Sequence, residues 1–195
     1  MLFFTADQHF GDPITFNIER RPFKNVFQCD KFMLKRLNKV AKKTDTIYFI
    51  GDFFDCDGPE FTSWRDTAAK YVKKIKAQKI LIIGNNEQRI IKYFYNNNFE
   101  AFRTWCLGLG FLDVLQNATV SFNGNTYFLT HKPVDFKPDM ITLFGHMHRD
   151  SGMYKSFGIN LSASLHYFLP LSESDIEYWV SRYPTYVLDD DYKIF

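Results

Sequence analysis

The sequence predicts an α/β fold built on a parallel sheet, and three observations carry that expectation. Short apolar runs alternate with helical periodicity from residue 2 to residue 95, the order that right-handed parallel crossovers produce. Five apolar runs each end in a residue able to hold a metal: Leu2 to Ala6 before Asp7, Ile47 to Ile50 before Asp52, Ile80 to Ile83 before Asn85, Tyr127 to Thr130 before His131, and Met140 to Phe144 before Gly145-His146-Met147-His148. Open α/β sheets place their ligands at the carboxyl ends of strands, where all five runs stop. Past residue 110 the pattern changes to short strands around Asn123-Gly124, the strongest hairpin signal in the chain.

Taken in order, the first strand delivers Asp7-Gln8-His9, a carboxylate and an imidazole two residues apart. Residues 10 to 28 contain Gly11, Pro13 and Pro22 and read as a long loop with one helical turn. Within it, Arg20-Arg21-Pro22-Phe23 offers guanidinium groups suited to phosphate oxygens, which makes Arg21 a candidate substrate contact, with a solvated loop charge as the plain alternative. From Asp30, placed as N-cap, residues Phe32, Met33, Leu37, Val40 and Ala41 recur at helical spacing, and the basic residues between them read as a solvated face.

The strand at residues 46 to 50 is apolar on both faces and ends in Gly51-Asp52, where glycine permits a sharp turn. A helix is expected over 59 to 78, with Pro59 in its first turn and Trp64, Ala68, Tyr71, Val72 and Ile75 toward the core. A third strand over 79 to 83 ends in Gly84-Asn85-Asn86-Glu87, and Ile90, Ile91, Phe94 and Tyr95 carry a helix to Asn96-Asn97-Asn98. A helix over 99 to 109 precedes strands at 112 to 116 and 119 to 122, the hairpin, and a strand over 127 to 130 ending in His131. After the run to Phe144, the stretch His146-Met147-His148 is read as extended, which points both imidazoles toward one spot. A strand at 157 to 162 and a helix over 173 to 182, capped by Ser172, complete the chain.

Bulk properties narrow the class. With 195 residues and 46% hydrophobic content, a single domain spanning 1–195 is expected, its core filled by rings from 22 Phe and 11 Tyr. The net charge of +2 supplies no global field for nucleic acid or an anionic membrane. Cys29, Cys56 and Cys106 have no paired spacing, so a disulfide framework or zinc knuckle is not expected, and buried thiols in a reducing compartment are. No run reaches the roughly 18 apolar residues of a membrane helix, and no leader precedes the first strand, so a soluble cytoplasmic protein is expected.

Together, the strand ends supply two carboxylates, Asp7 and Asp52, the amide oxygen of Asn85, and four imidazoles, His9, His131, His146 and His148. Seven donors exceed one tetrahedral zinc and suit two divalent ions about 3.5 to 4 Å apart that share a carboxylate. Nitrogen and oxygen donors without sulfur favour Mn, Fe, Zn, Ni or Co over Ca or Mg.

These motifs resemble the calcineurin-like metallophosphoesterase family, whose pattern of Asp-x-His, Gly-Asp, Gly-Asn-His-Asp/Glu, a lone His and Gly-His-x-His is met here by Asp7-Gln8-His9, Gly51-Asp52, Gly84-Asn85-Asn86-Glu87, His131 and Gly145-His146-Met147-His148. Arg21-Pro22-Phe23, Asn160 and Pro170 resemble a small bacterial and phage branch of it. The resemblance implies a two-sheet β-sandwich flanked by helices, a four-layer αββα arrangement with a dinuclear site at one rim. It assigns Asp7, His9, Asp52 and His148 to one metal and Asp52, Asn85, His131 and His146 to the other, with Asp52 as the bridge and a metal-bound hydroxide attacking phosphorus. The departure is Asn86, in place of a histidine that assists the leaving group. Asn86 is therefore the candidate catalytic and substrate-contacting residue, able to donate a hydrogen bond but not a proton. A phosphodiester, such as a cyclic nucleotide, or a phosphomonoester is the expected substrate, with an undemanding leaving group such as that of an aryl ester, or with an acid supplied from elsewhere, for which His166 is the candidate. Gln8, Asp12, Phe53, Phe54 and Asp55 are expected to line the pocket. The competing readings are a non-catalytic scaffold, against which all seven donor positions are filled, and a metal-dependent nuclease, against which the charge is nearly neutral.

Overall fold

The computed structural model describes residues 1–56, 64–149, 154–155 and 157–186. In chain order its elements are β1 (Leu2–Thr5), α1 (Pro13–Ile18), α2 (Val26–Val40), β2 (Thr46–Ile50), α3 (Trp64–Val72), β3 (Gln78–Ile82), α4 (Asn85–Phe94), α5 (Phe99–Leu109), β4 (Asp113–Leu115), β5 (Ala118–Phe122), β6 (Asn125–Leu129), β7 (Ile141–Phe144), β8 (Tyr154–Lys155), β9 (Gly158–Asn160), β10 (Leu171–Ser172) and α6 (Glu173–Tyr186). They form two five-stranded sheets, one ordered β10-β1-β2-β3-β4 and the other β5-β6-β7-β9-β8. The first is parallel except for β10, and in the second β6, β7 and β9 are parallel while β5 and β8 are antiparallel edges.

Strand alternation explains how the first sheet serves two cores. Phe3, Ile47, Phe49 and Leu81 face the helices and join Met33 and Leu37 of α2, Tyr71 of α3, Ile90 of α4 and Phe102 of α5. Their neighbours Phe4, Ile50 and Ile82 point the other way and meet Tyr127, Leu129 and Leu143 of the second sheet, with Ile176 of α6 closing the same cluster. Because successive side chains leave a strand on opposite faces, a strand buried on both must be apolar throughout. This is the helix-flanked two-sheet sandwich that the motifs implied. The two sheets join at the rim through a parallel bridge between Ala6 and Ser162, so the carboxyl ends of β1, β2, β3, β6 and β7 open onto one edge.

Several local expectations are corrected. The helix expected from Asp30 begins at Val26, capped by Asn25, whose side chain accepts from the Gln28 amide. Asp30 lies inside it, buried, and accepts from the Gly11 amide at 3.1 Å, which ties the loop after β1 to α2. The helix expected to reach residue 78 ends at Val72 because the chain must turn into β3 at Gln78; its start at Pro59 lies outside the described residues. The hairpin forms as expected, with Asn123 and Gly124 at φ 48° and 81° between the paired Phe122 and Asn125. Ser172 caps α6, accepting from the Asp175 amide, and all three cysteines are buried thiols. Among the described residues, no helix is long and apolar enough to cross a membrane.

Candidate metal centre

The seven strand-end donors converge at the shared rim, and the backbone there is bent rather than extended. Asp7, His9, Asp52, His146 and His148 have φ of 58°, 48°, 53°, 71° and 46°, left-handed values that non-glycine residues adopt reluctantly. Such conformations persist only where the surroundings hold them. Here the holding is visible in main-chain bonds from Asp7 to Gly51, from His9 to Asp52 and from Gly145 to His131.

These bends correct the expectation for His146 and His148. Instead of pointing to one spot, their rings part. His146 Nδ1 lies 2.8 Å from Asn85 Oδ1, with its ring 5.1 Å from that of His131. His148 turns the other way, its ring 5.0 Å from that of His9 and its Nδ1 against the Glu19 carboxylate. The four imidazoles thus make two pairs. Two groups of donors mutually within 4.8 Å also share a residue: Asp7 with His9 and His148, and Asp7 with Asp52 and His131.

Hydrogen bonds identify which ring nitrogens face inward. A carbonyl or carboxylate only accepts, so the His131 Nδ1 that meets Ile50 O at 3.0 Å carries a proton, as does the His9 Nδ1 that lies 3.1 Å from Asp12 Oδ2. The opposite nitrogens are left for the site. His9 Nε2 is buried without a hydrogen bond, 3.6 Å from Asp52 Oδ2. His131 Nε2 and His146 Nδ1 both close on Asn85 Oδ1, at 2.9 and 2.8 Å. An amide oxygen has only lone pairs to offer, so a proton or a cation must lie at each contact. Orphaned nitrogens and crowded acceptors of this kind fit divalent cations, and the Asp12, Ile50 and Glu19 partners are the outer groups that fix the rings of such ligands.

Electrostatics follows from the same packing. Burial would raise the Asp52 carboxyl, but the His131 charge and hydrogen bond, then His9 and the Asn86 amide, hold it well below the usual carboxylate range. Burial would lower His131, but Asp52, Asp7 and the Ile50 carbonyl raise it. Asp7 accepts from the His146 amide, 3.0 Å from each oxygen, and from the Ser162 hydroxyl.

Two glycines are required by close approach. A Cβ on Gly51, at φ 80°, would lie 2.1 Å from His131 Nδ1, and one on Gly84 would lie 2.3 Å from Asp52 Oδ1. Any side chain at either position displaces a donor.

Other expected site residues are placed differently. Arg21 does not face a substrate: its side chain is 2% exposed and donates to Glu19 Oε2 at 2.6 Å, Gln8 O at 2.9 Å and Asp7 O at 3.1 Å. Its fork holds the backbone of the Asp-x-His turn through those two carbonyls. Phe53 and Phe54 leave the pocket for the aromatic core, their rings 5.0 Å apart. His166 is buried with Nε2 2.8 Å from Asn160 O, in a different cavity of about 540 Å³ beside β10, and supplies no acid here. Asn86 is buried in the first turn of α4, its Nδ2 3.1 Å from Phe54 O and 3.3 Å from His9 Nδ1, its Oδ1 3.2 Å from Arg89 Nη1.

Two carboxylates were given no role from the sequence, although Glu87 belongs to the Gly84-Asn85-Asn86-Glu87 motif. Glu19, 5% exposed, joins His148, Arg21 and the Ser164 hydroxyl; burial would raise its carboxyl, but His148 and Arg21 hold it at about 2. Its only local signal is its place two residues before Arg21. Glu87 accepts from the amides of Gly84 at 2.7 Å, Asp52 at 2.9 Å, Phe53 at 3.0 Å and Phe54 at 3.1 Å. A glutamate three residues into a helix is a capping signature, which identifies the Gly84 contact but not the other three.

A family profile for calcineurin-like phosphoesterases matches residues 3–170. An uncharacterized protein of Methanocaldococcus jannaschii is 24% identical over 132 residues, 68% of this chain and 58% of that protein, so the chain spans little more than half the length of this curated relative. Among solved structures, a protein of unknown function from Aquifex aeolicus shares the fold, with a TM-score of 0.66 at 20% identity over 92% of this chain and 98% of that one. The nuclease MPE of Pseudomonas putida gives 0.48 at 17% identity, over 75% of this chain and 61% of that one.

Proposed function

The chain belongs to the calcineurin-like phosphoesterase family, and from that premise we propose that it hydrolyses a phosphodiester at the rim, with two divalent transition-metal ions held by Asp7, His9, Asp52, Asn85, His131, His146 and His148. The observation that carries this reading is the contact of Asn85 Oδ1 with two imidazole nitrogens, beside the orphaned His9 Nε2. When bound, such ions neutralise charge on the phosphoryl oxygens and make water nucleophilic near neutral pH.

The chain's own residues do the rest. Asp52, kept ionised, lies within 3.6 Å of both His9 and His131, where one carboxylate serves both imidazole pairs. Asp12, Ile50 and Glu19 fix three of the rings so that no reorientation is needed at the moment of reaction. A water oxygen attacks phosphorus and the ester oxygen departs on the opposite side. Asn86 contributes at most a hydrogen bond to that oxygen, which favours leaving groups that need no proton. Turnover of bis-p-nitrophenyl phosphate with added Mn, abolished by chelation and restored by returning metal, is the expected result; a metal-loaded protein that turns over no phosphoester is a scaffold.

Substituting histidine for Asn86 supplies the missing acid. Turnover of simple alkyl phosphomonoesters is expected to rise at least tenfold, within the roughly 10²- to 10⁴-fold that general acids contribute. An unchanged rate, measured by phosphate release across pH 5 to 8, would remove the leaving-group argument.

A further inference from the structure

Beside His148 the surface opens into a cavity of about 330 Å³ lined by Thr15, Glu19 and Arg149. Arg149 also lines a second cavity of about 310 Å³, walled by Phe23, Phe32, Tyr167, Phe168 and Arg36. Ser164 lines that second cavity as well, and its hydroxyl donates to Glu19, which contacts His148. The two cavities therefore share a wall that ends at the metal-site histidine. On the wall of the second, Phe23, Phe32 and Phe168 pack tilted or edge to face with centroids 5.1 to 6.1 Å apart. Tyr167 stands out from them, 78% exposed. It and Phe168 have φ of 52° and 60°, and Arg36 Nε donates to the Tyr167 carbonyl at 3.1 Å. The turn therefore holds the exposed Tyr167 ring outward on the wall of this cavity.

We propose that this aromatic cavity is a nucleobase subsite, so that the phosphodiester cleaved at the rim carries a nucleoside on one side. The inference rests on the hydrolase reading for its reaction and on the cavity for its specificity. Flat bases stack on exposed rings without regard to sequence, and guanidinium groups beside them neutralise the attached phosphate. The exposed rings of Tyr167 and Phe32, with Arg36 and Arg149 at the edges, supply both halves of that recognition. A cavity of about 310 Å³ is at the small end of ligand sites, suited to one base rather than a large cofactor. Arg149, on the shared wall, lies where the linking phosphate passes from the base toward His148.

The test is calorimetric binding to the full, metal-loaded chain, with thymidine 5′-monophosphate, ribose 5-phosphate and inorganic phosphate as probes. The nucleotide is expected to bind about tenfold or more tightly than either base-free probe, the increment one stacked base provides. Tyr167→Ala is expected to erase that advantage and Tyr167→Phe to keep it, while inorganic phosphate binds all three proteins alike. Because the Tyr167 ring is exposed, its removal leaves the core intact, and thermal unfolding of the variant checks this. Equal binding of nucleotide and ribose 5-phosphate, or a nucleotide advantage that survives Tyr167→Ala, overturns the subsite. Base-selective binding in a protein that hydrolyses no ester supports the subsite and overturns the hydrolase reading instead.

Discussion

Asp52→Asn is expected to lower kcat/KM for bis-p-nitrophenyl phosphate by roughly a thousandfold and to remove at least one of two bound metals. The carboxylate lies 3.6 Å from His9 Nε2 and 3.5 Å from His131 Nε2, so it serves both halves of the site. If two cations share this carboxylate, as proposed above, losing its charge forfeits several kcal/mol of transition-state stabilisation, and about 4 kcal/mol corresponds to that rate. The isosteric amide keeps the oxygen that accepts the Asn86 amide at 2.9 Å, so unfolding in urea separates loss of chemistry from loss of structure. Full metal content by elemental analysis, together with near-native turnover, would show that the metals are held elsewhere.

The second large effect falls on stability. Glu87 is fully buried and accepts four main-chain amides, three of them from the consecutive residues Asp52, Phe53 and Phe54. Glu87→Ala strands all four, and at about 1 to 3 kcal/mol for each buried unsatisfied donor the fold loses on the order of 4 kcal/mol or more. Glu87→Gln keeps one accepting oxygen but turns an NH₂ toward the remaining amides, and its loss should be intermediate. Urea titration of both variants ranks them; a wild-type midpoint for Glu87→Ala would mean that these amides find water. Burial, then the nearby Asp52 charge, push the Glu87 carboxyl upward against the amides that pull it down, so the same variant also alters the field around Asp52.

How far the site was legible depended on how local each signal was. Asp7, Asp52, Asn85, His131 and His146 each follow an apolar run, and the runs became strands because no charged residue interrupts them. Asn85 and Glu87 were placed at the strand end ahead of the helix, yet they open α4, because Gly84 with Glu87 starts a helix earlier than the apolar spacing begins. The N-cap was misplaced from Asn25 to Asp30 for a related reason: Asp30 has the right chemistry, but its carboxylate is taken by Gly11, nineteen positions away. Arg21 looked like a phosphate contact because its guanidinium suits phosphate oxygens; its partners are the Glu19 carboxylate and two carbonyls made available only when the turn after β1 bends.

By itself, the amino-acid sequence determined the alternation of strands and helices, the chemistry of the seven donors and the strand ends where they sit, because periodicity and residue type act over a few neighbours. Only the tertiary structure decided that the backbone at His146 and His148 bends instead of running extended, that Arg21 and Glu87 hold backbone, and that Glu19 backs a histidine 129 positions away. Those outcomes depend on left-handed turns and buried polar contacts between distant segments, and a contact of that kind exists only once two sheets have closed over a shared rim.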